Sequence, residues 1–272
     1  MEMQERIQEF IRLAYENNIL IKNEKETFFK KLLPFEKEET IKKADELMLD
    51  IINTPHAYVL GCVMDLGIQA ERAWIIPYKV FSAFMTMGHI KNYSIDDLVK
   101  VPYDKYKEVF FSYYGKSLHR FNKMVERFYN AVLHIRYKYN GNAALIWQNK
   151  PSSKEVVYRF REFIGIGQKI STMATNILFR KFDVEFSEKS YIDISVDIHV
   201  IRVMKRLGFV DYNSKERIFK ENILRNIRKW NSGYPGIFDR ICFTVGRTWC
   251  HECTLECGNC ILKDICYYIR SG

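Results

Sequence analysis

Apolar positions along this chain fall mostly at helical spacing. Ile7, Phe10, Ile11 and Ala14 share one face, and Ile41, Ala44, Met48 and Ile51 repeat the pattern further on. A third helical stretch runs from about His56 through Gly61, Cys62 and Met64 to Gln69. A fourth follows from Arg72 towards Met87, with Pro77 near its beginning. Ser94, with Asp97 three residues on, resembles a capping box that starts a short helix. In VFFSYYGKSLHRFNKMVERF the break at Tyr113-Tyr114-Gly115-Lys116 separates two helices. Pro151-Ser152-Ser153 opens a helix carrying Val156, Val157 and Phe160, and Val200, Val203 and Leu207 mark another. One stretch departs from this rule. Phe182, Val184 and Phe186 alternate with polar residues, a polar turn follows at 187–190, and Ile192 and Ile194 alternate again. That period of two predicts a small β-hairpin at about 182–194. The fold class expected is mainly α with this one β insertion.

With 272 residues, 47% of them hydrophobic, the chain can build one large core or two smaller ones. No apolar run reaches the length of a membrane span, and the opening MEMQERIQEF lacks the apolar core of a signal peptide. A cytoplasmic protein with no membrane partner is therefore expected. Lys and Arg outnumber Asp and Glu 42 to 33, a net charge of +9. That excess suits a polyanion, because each neutralised phosphate releases condensed counterions.

Five of the seven cysteines lie between positions 250 and 266, and the odd total, gathered at one place, points to a metal site in a reducing compartment. Cys250, Cys257, Cys260 and Cys266 are spaced C-x6-C-x2-C-x5-C, a pattern in which short loops turn four sulfurs towards one point. A [4Fe–4S] cluster matches it best. Zinc is the alternative, since Cys250/Cys253 and Cys257/Cys260 form two CxxC pairs, but only three residues separate the pairs, short for a zinc ribbon. Cys253 is surplus to the four-ligand pattern.

A second motif lies upstream. In Phe163-Ile164-Gly165-Ile166-Gly167-Gln168-Lys169, two glycines flank one apolar residue between two apolar helices. Such glycines allow a tight hairpin, and its N–H groups, with those opening the next helix, can hold a phosphate. The third motif is Val196-Asp197-Ile198-His199, where Asp197 can also serve as a helix N-cap.

Hairpin, lysine, aspartate and cysteine loop, the last preceded by Gly246-Arg247, stand in an order that resembles the endonuclease III superfamily of helix–hairpin–helix DNA glycosylases. The resemblance covers the chain from about the third helix onward. It implies two lobes: N-terminal helices (1–50) packing with the C-terminal part, a helical domain (51–180) ending in the hairpin, and a segment (181–272) with the catalytic aspartate and the iron–sulfur cluster. It implies base-excision repair on double-stranded DNA holding a damaged or mispaired base flipped out of the stack. Lys169 would be the nucleophile of a glycosylase and abasic-site lyase, and Asp197 its electrostatic and proton-handling partner. Gly165, Gly167 and Gln168 would hold DNA, Gln69 would stand near the flipped base, and Tyr113, Tyr114 and Lys116 would wedge into the stack and grip phosphate. A monomer is expected, in the cytoplasm and on the nucleoid when bound to DNA. The alternatives are a monofunctional glycosylase and a non-catalytic iron–sulfur DNA-binding protein. Relatives of the first kind carry a catalytic glutamate where this chain has Cys62-Val63-Met64. Three departures from the family pattern stand out: Ile164 replaces a proline often found before the first glycine, the interval from Lys169 to Asp197 is longer, and His251 to Glu256 is acidic rather than basic.

Overall fold

The computed structural model describes residues 2–20, 27–29, 33, 36–115, 121–210 and 216–270. Fourteen α-helices are defined among them. In chain order they are α1 (Met3–Glu16), α2 (Glu38–Leu49), α3 (Pro55–Met64), α4 (Ala70–Trp74), α5 (Ile76–Thr86), α6 (Ile95–Leu98) and α7 (Tyr103–Tyr114). There follow α8 (Phe121–Lys138), α9 (Ser153–Arg161), α10 (Gln168–Phe182), α11 (Ile198–Arg206), α12 (Glu216–Trp230), α13 (Ile237–Thr248) and α14 (Tyr267–Arg270). The described residues contain no named strand, only an isolated bridge between Cys250 and Leu255. The fold is mainly α.

Two compact units divide the chain. The first comprises Met1–Glu24, Ser152–Val157 and Thr175–Gly272, and the second Lys25–Pro151 and Tyr158–Ala174. In the first, α1 supplies Ile7, Phe10 and Ala14 to a core with Val200, Val203 and Met204 of α11, Phe219, Ile223 and Ile227 of α12, and Phe238, Ile241 and Val245 of α13. These residues recur every three or four positions, so each helix turns one stripe inward. Phe10 stacks on Phe238 with ring centroids 5.5 Å apart and meets the edge of Phe209 at 5.7 Å.

The second unit is built round α3, of which every residue is buried. A helix apolar on all sides has no solvent face and must be enclosed. Gly61 allows that enclosure: a Cβ there would lie 2.7 Å from both Met48 Cε and Trp74 Cε3. Tyr58 packs among Trp74, Trp147 and Phe160 and donates its hydroxyl proton to the Ala174 carbonyl of α10 at 2.7 Å.

Three sequence expectations change. The third helix does not continue to Gln69. It ends at Met64, and the chain turns through Gly67 at φ 75°. The fourth is split at Ile75, which is both the C-cap of α4 and the N-cap of α5, because Pro77 sits in the first turn of α5. The β-hairpin at 182–194 is absent. Phe182 ends α10, Asp183 takes φ 55°, and the rest is irregular chain without strand pairing. Phe186, Ile192 and Ile194 are buried in the core without a ladder, and the polar Asp193 and Ser195 are buried beside them. Glu188, placed in the expected turn, is bound to the start of α9: Ser153 Oγ donates to its Oε1 at 2.8 Å and the Lys154 amide at 3.2 Å.

Candidate active site and cysteine centre

In the second unit the glycine hairpin lies between α9 and α10. Gly165 adopts φ 93°, and a Cβ there would come 2.7 Å from Arg127 Nε, so both conformation and space require glycine. Around it Ile166 and Phe163 are buried while Ile164 is exposed. Phe163 packs edge-on to His134 at 4.6 Å, and Glu162 pairs with Lys138 at 2.6 Å and accepts from the Tyr139 hydroxyl at 3.0 Å. These contacts hold the hairpin against α8. Gly165, Gly167, Gln168 and Lys169 are all exposed, and Gln168 and Lys169 are the first two residues of α10. The opening N–H groups of a helix have no intrahelical partner, so this end is suited to an anion.

Asp65 follows α3 directly, and sequence reasoning passed over it. Its carboxyl is pushed up to about 6 by burial, against the pull of the Lys169 charge and with help from Glu71. Glu71, on α4, is itself only 5% exposed. Lys169 and Glu71 therefore both act on Asp65 within one unit. The available signal was a carboxylate placed immediately after eight apolar or small residues, 57–64. Gln69 is the exposed N-cap residue of α4, and its side chain makes no cap hydrogen bond. Tyr113 and Tyr114 close α7, with the Lys79 ammonium 5.0 and 5.6 Å from their ring centroids. Tyr113 is 42% exposed, whereas Tyr114 is largely enclosed and burial raises its phenol. Lys116 lies outside the described residues.

In the first unit Asp197 is the N-cap of α11. Its Oδ1 accepts from the His199 and Val200 amides, each at 2.9 Å. His199 lies against Arg202, whose Nη2 is 2.9 Å from His199 Nδ1, and burial lowers its imidazole. Gly246 of α13 gives it room, because a Cβ there would stand 2.8 Å from His199 Cβ.

The other end of α11 holds the cysteine loop. Arg202 Nε donates to the Cys250 carbonyl at 2.6 Å. Arg206 Nη1 donates to the His251 carbonyl at 2.6 Å and to Cys250 Sγ at 3.1 Å. Beyond Cys250, two short 3-10 turns, Cys257–Asn259 and Lys263–Ile265, bend the backbone tightly. Cys250, Cys257, Cys260 and Cys266 are half-buried, while Cys253 is exposed. Burial raises the Cys260 thiol to about 11, and the nearby thiols of Cys250, Cys266 and Cys257 push the same way. Among the described residues no group of three or more His, Cys, Asp or Glu side chains has closed to metal-binding geometry. The donor set is nonetheless four soft sulfurs within electrostatic reach of one another, with an N–H donor on one of them. That chemistry fits an iron–sulfur cluster and also zinc.

Comparison with protein-family models and with curated proteins finds no match. Solved structures do match along the whole chain. Endonuclease III trapped as a covalent intermediate with DNA, an estranged-adenine complex, aligns with a TM-score of 0.56 at 16% identity, covering 100% of this chain and 99% of that one. A non-covalent endonuclease III–DNA complex gives the same score and identity, over 100% and 98%. The chain has the endonuclease III fold. In this endonuclease III fold Lys169 and the hairpin belong to the second unit, and Asp197 with the four cysteines to the first. No helix among the described residues is long and apolar enough to cross a membrane.

Proposed function

We propose that the chain is a base-excision DNA glycosylase with abasic-site lyase activity, acting as a monomer on double-stranded DNA that holds a damaged or mispaired base. The observation that carries this reading is Lys169. It stands exposed in the first turn of α10, directly after a glycine hairpin fit to seat a phosphate, in a chain with the endonuclease III fold. A DNA backbone held by Gly165, Gly167 and Gln168 brings its sugar to that lysine. The amine attacks C1′ as the base leaves, and the resulting Schiff base permits β-elimination. The structural match to endonuclease III trapped as a covalent intermediate with DNA supports a covalent route. Asp197, whose Oδ1 caps α11, stabilises with its carboxylate charge the positive charge that develops on the sugar. Gln69 and Tyr113 contact the DNA at the flipped base and the opened stack, and Lys116 grips phosphate.

Cys250, Cys257, Cys260 and Cys266 would hold the [4Fe–4S] cluster, with zinc the second possibility for the same thiolates. Once bound, the group supplies a rigid cross-link between short loops. Arg206 then serves as a charged N–H donor to one ligand sulfur, and Arg202 fixes the first ligand's backbone. A reducing, cytoplasmic setting suits those thiols.

Borohydride trapping on duplex DNA with one abasic site tests the reading. Wild type should form a covalent adduct, and Lys169→Ala should form none while still binding the DNA. A wild-type chain that binds the duplex and releases bases without an adduct would instead be a monofunctional glycosylase.

A further inference from the structure

A bowl of about 580 Å³ opens in the second unit, between the start of α3, the turn into α6 and the turn that follows α8. Pro55, His56 and Ile95 form its buried floor. Its exposed rim carries four asparagines, Asn53, Asn92, Asn140 and Asn142. His56 is the unusual member. It is only 4% exposed, and among the described residues its Nε2 has no hydrogen-bond partner. A buried polar atom left alone costs free energy, and native structures keep few of them. Phe81, outside the lining, packs against the imidazole with ring centroids 5.8 Å apart. The Tyr93 backbone also bonds to the ring, and because Nε2 is unbonded, that bond uses Nδ1. Burial lowers the imidazole to about 4, so at neutral pH it is uncharged and Nε2 keeps its lone pair.

We propose that this bowl binds a neutral nucleobase of the adenine class, whose exocyclic amine donates to His56 Nε2. The lining disfavours other chemistries. No lysine or arginine lines it, and its one carboxylate, Asp96, is paired with Arg136 at 2.8 Å, so the walls offer a phosphate no cation. Among the described residues no group of three metal-ligating side chains gathers there. The rim offers neutral donors and acceptors instead. Asn142 Oδ1 accepts from the Ala144 amide at 3.0 Å, which leaves its NH2 group to donate. Asn53 Nδ2 donates to both Asp50 oxygens, at 3.1 and 3.0 Å, which leaves its carbonyl to accept. An asparagine amide pairs with the N6/N7 edge of adenine through two hydrogen bonds, and the second amino hydrogen remains for His56.

The bowl is separate from the glycine hairpin. Gly165 stands beside Arg127 and Glu162 pairs with Lys138, so the hairpin follows about 16 Å of α8. Asn140 lies just beyond Lys138, at the end of α8 away from Gly165. The site therefore goes beyond the lysine reading and does not depend on it.

NMR of the cluster-loaded full chain with isotope-labelled histidine tests the proposal, together with equilibrium dialysis of wild type, His56→Phe and Asn140→Gly. Phenylalanine keeps a ring against Phe81 and removes the acceptor. Glycine keeps the turn at φ 48° and removes the amide. Adenosine should shift the wild-type His56 Nε2 resonance saturably. Inosine, which has a carbonyl in place of the amine, should bind about tenfold more weakly, and each folded variant should lose about tenfold for adenosine. A duplex with one unpaired adenine is the second probe. A shift with the duplex alone assigns the base to a DNA strand, and a shift with adenosine alone assigns it to a free nucleoside; either supports the site. No saturable shift with either probe overturns the proposal, and that result is read on wild type whether or not a variant folds. Equal binding of adenosine and inosine, or undiminished binding by folded His56→Phe, overturns it as well.

Discussion

Arg228→Met tests how the approach to Asp197 is held. Arg228 of α12 donates from Nε and Nη2 to the two carboxylate oxygens of Asp193, at 2.8 and 2.6 Å. Asp193 is 4% exposed and lies in the irregular chain that leads through Ile194 and Ser195 to the α11 cap. Methionine keeps most of the apolar stem and removes both donors, which strands a buried carboxylate. Breaking one side of a buried pair costs about 3–5 kcal/mol. The Arg228 side chain is 55% exposed, however, so water can enter its place and return part of that energy. The expected loss is about 2–3 kcal/mol, or about 3–5 °C in melting temperature for a chain of this size. Urea and thermal melts of Arg228→Met, Asp193→Asn and the double variant measure it. The double variant should lose at least about 1 kcal/mol less than the two singles together, because the stranded charge is gone. Amide exchange should also quicken at 191–198. A loss under about 0.5 kcal/mol in Arg228→Met, or strict additivity, would refute the reasoning.

Other outcomes follow from the same structure. Gly61→Ala drives a methyl into Met48 and Trp74, and chemical denaturation should show a loss of about 1–3 kcal/mol with the fold kept. Serine at Cys250, Cys257, Cys260 or Cys266 should abolish bound iron and its visible absorbance, whereas Cys253→Ser should keep both; colour retained in any of the first four removes that residue from the ligand set. Burial lowers His56 to about 4, so the unfolded chain binds its proton first, and the stability it contributes, about 3 kcal/mol, is present above pH 6.5 and lost as pH falls towards 4. Asp65, raised to about 6, works the other way: its contribution is full below pH 3.8 and is lost as pH rises through 6. His56→Phe should therefore turn the wild-type stability profile between pH 4 and 6.5 towards greater stability in acid, and an unchanged slope would exclude the buried neutral imidazole.

The parts of this fold that local sequence governs were legible. Ile7, Phe10 and Ala14 mark the buried stripe of α1 because its other faces are polar. The cysteine spacing was equally plain to read, and short turns bend the chain between Cys257 and Cys266, although among the described residues the thiols do not close to metal-binding geometry. Periodicity could not bound α3, because a helix buried on every side has no polar face to read. What ends it is a backbone event, a turn through positive φ at Gly67. The hairpin expected at 182–194 failed for a related reason: apolar and polar residues alternate there, yet Asp193 and Ser195 are buried along with Ile192 and Ile194 in irregular chain, so the pattern marks no strand face. Asp65 was passed over because the burial and the charges that act on its carboxyl, those of Lys169 and Glu71, come from the fold and not from the residues beside it.

The division of the chain also has a consequence for its biosynthesis. The second unit is nearly continuous and can close once α10 has left the ribosome, but the first requires α1 together with α11, α12 and α13. Ile7, Phe10 and Ala14 are translated well before the partners they pack against. At about 5–20 residues per second that is a wait of some tens of seconds with an apolar stripe uncovered. Newly made chains should therefore be open to holdase chaperones through α1, and limited proteolysis of ribosome-stalled chains should cut there until α13 has emerged.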